Sequence, residues 1–324
     1  MEIALQILLL VVGFILLIKG ADILISGASS IAANFKVSKM LIGLTIVAFG
    51  TSAPELAVSI SSLVSGKTDM LLGNVIGSNI MNVLLLLGIG ACICPIIIRK
   101  NTVKKELPIL LLISTALIIL FLDINLAGGF ANEITRADAI VCILFFCIFL
   151  YYLIVMARKD KSAKKEKSEK PEYKLGMSFI ITILGLVGIV GGSQLVVNSA
   201  SSIASAVGIS ERIISLTIVA LGTSLPELMT TIVAAKKKET DLIVGNIIGS
   251  NIFNICVVMG IPVAAFGTIT QGSFQIIDLV MLGTSTVLLY LFSKTRKKIS
   301  RFEGFVMLLL FAAYYGYIIY GALA

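Results

Sequence analysis

Apolar residues gather along this chain in ten long stretches, at roughly 2–33, 38–65, 69–98, 107–124, 135–157, 175–206, 210–235, 241–266, 274–293 and 300–323. An α-helix needs about 20 such residues to cross the ~30 Å hydrocarbon core of a bilayer. Lipid offers no partner to backbone N–H and C=O groups, so runs of this kind must satisfy them internally as helices. The pattern predicts an all-α integral membrane protein of ten transmembrane helices with short connections. The first run lacks the short apolar core and cleavage site of a signal peptide and is expected to remain as a helix.

Charge tests the count independently. Lys and Arg total 26 and Asp and Glu 18. With ten spans, the connections after spans 1, 3, 5, 7 and 9 carry 22 of the 26 bases, while the other side carries only Lys67, Arg136 and Arg212. Such a bias satisfies the positive-inside rule and would collapse if one span were missed. It predicts a multi-pass cell-membrane protein with both termini outside. The one polar linker, 158–174, is then cytoplasmic. Its run of lysines reads as a solvated topogenic loop rather than as a patch for nucleic acid or anionic lipid.

Displaced by 172 residues, the sequence matches itself. Ala48-Phe-Gly-Thr-Ser-Ala-Pro-Glu-Leu56 aligns with Ala220-Leu-Gly-Thr-Ser-Leu-Pro-Glu-Leu228. Gly73-Asn-Val-Ile-Gly-Ser-Asn-Ile-Met-Asn82 aligns with Gly245-Asn-Ile-Ile-Gly-Ser-Asn-Ile-Phe-Asn254. Between 43–82 and 215–254, 22 of 40 positions are identical without a gap. The chain divides into a five-helix repeat at 1–157 (motif 48–82), the linker 158–174, and a second five-helix repeat at 175–324 (motif 220–254). Five is odd, so the second repeat enters the membrane from the opposite face, an architecture that places sites at the repeat interface.

The best-matching blocks are polar. Glu55 and Glu227 lie well inside spans 2 and 7, where a carboxylate is costly and by default functional. No Lys or Arg sits in spans 2, 3, 7 or 8 away from their ends. Pro54 and Pro226 have no N–H and displace the carbonyls of Gly50 and Gly222, so each span is expected to break there. Thr51 and Ser52 precede Glu55 by four and three residues, on the same helical face, and Thr223 and Ser224 stand likewise to Glu227. Asn74, Ser78 and Asn82 form a stripe at four-residue spacing on span 3, repeated by Asn246, Ser250 and Asn254 on span 8. Gly73-x-x-x-Gly77 and Gly245-x-x-x-Gly249 would let those helices approach a neighbour closely.

This inventory is all oxygen, without imidazole or thiolate, and suits hard cations such as Ca²⁺ or Na⁺. Two ionised Glu neutralise one Ca²⁺ or two Na⁺, and a proton can compete for the same carboxylates. The chain has no His, which removes His-dependent zinc, nucleophile and haem chemistry, and its five Cys lie in apolar runs as small hydrophobes. No enzyme activity and no cofactor is expected.

The paired G-T-S-x-P-E and G-N-x-I-G-S-N-I-x-N blocks resemble the two α-repeats of the sodium/calcium exchanger family, within the calcium:cation antiporters. The resemblance covers almost the whole chain. It implies that Glu55 and Glu227 bind Ca²⁺ together with the carbonyls of Thr51 and Thr223. It implies that Na⁺ is held by oxygens of Ala48, Ser52, Ser78, Ala220, Ser224 and Ser250 besides the two Glu, and that Asn82 and Asn254 complete the ring. It also implies a prokaryotic-type exchanger without a regulatory domain, since the linker has only 17 residues. Potassium-dependent relatives carry Asp at the position of Asn254, so K⁺ co-transport is disfavoured.

The expected activity is Ca²⁺ extrusion from the cytoplasm against inward Na⁺ by alternating access, by a chain functional as a monomer. A Ca²⁺/H⁺ antiporter would use the same two Glu. A passive cation channel is more remote, because it would rather form its pore by oligomeric symmetry. Thr68-Asp69 and Thr240-Asp241 are expected to cap helix N-termini, Lys19 and Asp22 to pair within span 1, and Tyr314, Tyr315, Tyr317 and Tyr320 to form an interfacial belt.

Overall fold

A computed structural model describes residues 2–122, 132–162, 170–207, 220–270 and 276–323. Among them, seven helices are long and apolar enough to cross a membrane. They are α1 (Glu2–Phe35), α4 (Thr68–Ile93), α6 (Arg136–Ser162), α7 (Leu175–Ala206), α9 (Thr240–Phe266), α10 (Ile276–Arg296) and α11 (Arg301–Leu323). An eighth crossing is a bent pair, α2 (Lys39–Thr51) and α3 (Ala53–Val64), which meet at 42°. Two shorter apolar helices complete the set, α5 (Glu106–Leu120, 15 residues) and α8 (Leu225–Lys236, 12 residues). The stretch expected at 210–235 is described only from residue 220, where one helical turn, Ala220–Gly222, precedes α8. Each of the ten expected stretches therefore contains helix, and the chain is an all-helical, multi-pass membrane protein.

The break in span 2 falls where Pro54 predicts it. Ser52 leaves helical geometry at φ −87°, ψ 6°, and Pro54 then sits in the first turn of α3, where its missing N–H costs nothing. Ser224 repeats this at φ −89°, ψ 3°, ahead of Pro226 in α8. The helices also loosen to π geometry at Gly43–Val47, Asn82–Leu86 and Asn254–Met259. Such segments frequently mark functional sites.

The motif helices α4 and α9 are the most buried of the long helices, and α9 is enclosed on all sides. α1, α6 and α11 face outward with rows of exposed Leu, Ile, Val and Phe, as lipid-facing helices must. α9 lies in backbone contact with α2. A Cβ on Gly245 would stand 2.6 Å from Met40 O, and one on Gly249 would stand 2.8 Å from Leu44 O. The close approach expected of this glycine pair is present. For Gly73 and Gly77, nothing among the described residues comes within 4 Å of such a Cβ. The segment equivalent to α2 in the second repeat is 211–223, and its residues 211–219 lie outside the described residues.

α1 and α7 pack along their length and run antiparallel. Gly13 adjoins Gly192, Gly20 adjoins Gly185 and Ile189, and Gly27 adjoins Thr182. Four two-residue strands qualify the all-α expectation: β1 (Ile96–Ile97) pairs with β4 (Lys298–Ile299), and β2 (Glu133–Ile134) with β3 (Ile269–Thr270), both antiparallel.

Candidate cation site

The breaks at Ser52 and Ser224 bring the two G-T-S-x-P-E motifs face to face. Glu55 and Glu227 lie in the first turns of α3 and α8, and each is 1% exposed. Ser52 donates its hydroxyl to Glu227 Oε1 at 2.9 Å. Ser224 is the corresponding neighbour of Glu55, although its hydroxyl makes no bond of good geometry. Thr51 Oγ1 bonds the carbonyl of Val47 at 3.0 Å and approaches Asn246 Oδ1 at 3.3 Å, joining the first motif to α9. Ser250 reaches the Ala48 carbonyl at 3.5 Å, a marginal contact from the same helix. Thr223 is partly buried beside Ser224.

The asparagine-serine stripe forms the other wall. Ser78, Asn82, Asn246, Ser250 and Asn254 are all buried. Asn74 is half-buried and clasps α3 to α4, donating Nδ2 to Glu55 O and to Ser59 Oγ, both at 2.9 Å. Of the twelve expected ligands, Glu55, Thr51, Ser52, Ala48, Ser78 and Asn82 come from α2, α3 and α4, and Glu227, Ser224, Ser250 and Asn254 from the matching elements. Ala220 and Thr223 belong to the turn before α8, and the side-chain surroundings of Ala220 lie outside the described residues.

Several buried atoms at this place have no hydrogen-bond partner: Glu55 Oε2, Glu227 Oε2, Asn82 Oδ1, Asn254 Oδ1 and Ser224 Oγ. Such groups are normally satisfied, because a lone buried acceptor costs about 1–3 kcal/mol and a lone charge more. No base among the described residues pairs with either Glu. The oxygens of this set have the chemistry that suits a hard cation.

Some expectations are corrected. The Gly222 carbonyl displaced by Pro226 accepts a hydrogen bond from Ser193 of α7 at 2.7 Å. Asp22 does not pair with Lys19. It pairs with Lys237 at 2.7 Å, because that lysine reaches α1 from the end of α8. Asp241 does not cap its helix: it forms an ion pair with Arg99, whose Nε lies 3.0 Å from Oδ1. Tyr314 leaves the expected belt and donates to the buried Asp278 at 2.6 Å, as Tyr152 does to the buried Glu106. Those two carboxyls sit at the starts of α10 and α5, too near the ends of their apolar stretches to stand out in the sequence.

Sequence reasoning also passed over Asn79 and Asn251. Both are buried, and Asn82 donates Nδ2 to Asn251 Oδ1 at 2.9 Å. Their signal was available, since both stand in the repeated block, one residue off the chosen stripe.

Comparison with known proteins agrees with this geometry. The family model described as sodium/calcium exchanger protein matches residues 5–155 and 177–320. The chain is 39% identical over 314 residues to the putative antiporter CaxA of Alkalimonas amylolytica, covering 94% of this chain and 95% of that one. It is 30% identical over 347 residues to the sodium/calcium exchanger MaX1 of Methanosarcina acetivorans, covering 96% and 98%. The solved structure of the sodium-calcium exchanger NCX_Mj soaked with Na⁺ and Sr²⁺ superposes with a TM-score of 0.83 at 34% identity, covering 96% of this chain and 97% of that one. The chain belongs to the sodium/calcium exchanger family, whose members are transporters.

Proposed function

We propose that this protein is a secondary antiporter that extrudes Ca²⁺ from the cytoplasm in exchange for Na⁺, holding both ions in turn at Glu55 and Glu227. The observation that carries this reading is the cluster of buried, partnerless oxygens on both Glu, Asn82 and Asn254. Two carboxylates match the charge of one Ca²⁺. The neutral oxygens around them replace water ligands, which a proton would not require. Ser52, Ser78, Ser224, Ser250 and the carbonyls of Ala48, Thr51, Ala220 and Thr223 complete the proposed ligand set.

Ten spans in two inverted repeats give the site its two-sided access. The strand ladders support the count. β3 and β4 are separated by α10, which is long enough to cross, so their ladders lie on opposite faces. β1 shares a ladder with β4 and β2 with β3, so the connection from β1 to β2 through the short α5 must cross as well. The antiparallel run of α1 against α7 follows if each repeat has five spans. On this topology the linker 158–174 is cytoplasmic and both termini lie outside.

Alternating access requires the two repeats to adopt unequal conformations, and several matched contacts are unequal. Ser52 donates to Glu227 at 2.9 Å, whereas the matching contact of Ser224 with Glu55 falls short of good hydrogen-bond geometry. Asn74 clasps α3 to α4, while Nδ2 of its counterpart Asn246 has no partner. Exchange of these conformations between repeats would open the site to the opposite side.

The test is transport by purified protein in Na⁺-loaded liposomes diluted into Na⁺-free buffer. Uptake of ⁴⁵Ca²⁺ that needs internal Na⁺ and survives a protonophore is the expected result. Uptake driven only by a pH gradient would overturn Na⁺ coupling and assign the same fold to Ca²⁺/H⁺ exchange.

A further inference from the structure

Asn82 can serve a cation only through its oxygen, because its NH₂ end repels positive charge. The structure contains a device that decides which end is presented. The Asn79 backbone carbonyl can only accept a hydrogen bond, and Asn251 Nδ2 donates to it at 3.3 Å. Asn251 must then turn Oδ1 the other way, where it accepts from Asn82 Nδ2 at 2.9 Å. Asn82 must in turn leave Oδ1 unbonded, and that oxygen is buried without a partner. The orientation of all three groups thus follows from one carbonyl, with no freedom to flip either amide.

We propose that Asn251 is a positioning residue for cation binding: it holds the Asn82 amide so that its oxygen, not its nitrogen, is available to the ion. This deepens the exchanger reading and rests on it. The device crosses the repeat boundary, since Asn251 stands on α9 and Asn82 on α4. The equivalent pair under the 172-residue offset is Asn79 with Asn254, and it is open: Asn79 Oδ1 and Asn254 Nδ2 both lack partners. The pairing is therefore a feature of one half of the site in this conformation and not a generic helix contact. A residue that orients a metal ligand typically controls affinity by about 10–100-fold.

The experiment is a double-mutant cycle read as the KM for Ca²⁺ in Na⁺-driven proteoliposome uptake. Asn251→Leu keeps the bulk and removes both hydrogen bonds. It should raise KM by about tenfold or more, with Vmax at saturating Ca²⁺ and membrane yield little changed. Asn82→Asp presents an oxygen whichever way it turns, so in that background Asn251→Leu should no longer raise KM. If Leu lowers the yield of folded protein, Asn251→Ala, which demands no space, takes its place in both backgrounds. An unchanged KM, or an equal rise in both backgrounds, overturns the positioning role. Glu55→Gln is measured in parallel, because full activity there would instead overturn the exchanger site itself.

Discussion

The Ser52 hydroxyl and the Glu227 carboxyl, 175 residues apart in sequence, meet at 2.9 Å. The first repeat thus supplies a donor to the acid of the second, so the two motifs meet at one place. A hydroxyl bound to a buried carboxylate contributes about 1.5–3 kcal/mol. Ser52→Ala should weaken apparent Ca²⁺ and Na⁺ affinity by roughly tenfold or more. Ser224→Ala should cost less in this conformation, since its hydroxyl is unbonded. Ion titrations of exchange by the two variants compare them directly, and equal penalties would reject the asymmetry.

Glu55 and Glu227 are the two carboxyls of the proposed site, each 1% exposed. Replacing either with Gln keeps the shape but removes one of the two charges that balance a divalent ion. Exchange by Glu55→Gln or Glu227→Gln should fall by roughly 100-fold or more, equivalent to about 3 kcal/mol of lost charged ligation. Both variants should remain folded and membrane-inserted, because no base among the described residues pairs with the wild-type carboxyls. Gel filtration in detergent checks the fold, and ⁴⁵Ca²⁺ uptake checks the loss. Normal transport by either variant would remove that Glu from the site.

Gly245 holds α9 against α2, where a Cβ would meet Met40 O at 2.6 Å and Leu44 N at 2.9 Å. Both are backbone atoms and cannot rotate away. Gly245→Val should therefore destabilise the protein by about 1–3 kcal/mol or more and lower both the melting temperature and the folded yield. Gly191→Ala is the control, because a Cβ there meets nothing within 4 Å among the described residues. Thermal scanning of the two in detergent should separate them, and matching curves would show that the contact is not tight.

Much of this was legible because apolar runs, prolines and duplicated polar blocks act locally. Pro54 and Pro226 announced the breaks at Ser52 and Ser224, and the offset of 172 residues located Glu55, Glu227, Asn82 and Asn254. What escaped depended on neighbours from other helices. Spacing put Lys19 beside Asp22, yet Lys237 takes Asp22 from 215 residues away. Proximity to a helix start made Asp241 a cap, yet Arg99 reaches it from the end of span 3. A period of four selected Asn82 and passed over Asn251, whose role is visible only when α4 and α9 cross. Ser193 was invisible for the same reason, since its partner is a carbonyl that only the Pro226 break exposes.

Asn254 is 1% exposed with neither side-chain atom bonded. Asn254→Asp would add a third carboxyl to the proposed site, where two Glu suffice to balance a divalent ion. Charge in this low-dielectric setting cannot stay uncompensated. The variant must therefore bind a proton or one more monovalent cation whenever it holds Ca²⁺. The dependence of exchange on pH or on K⁺ should change, and so should the charge moved per Ca²⁺. Uptake measured across the neutral pH range, with and without K⁺, reads the first effect, and its response to an imposed membrane potential reads the second. If all of these profiles coincide with wild type, Asn254 does not line the site.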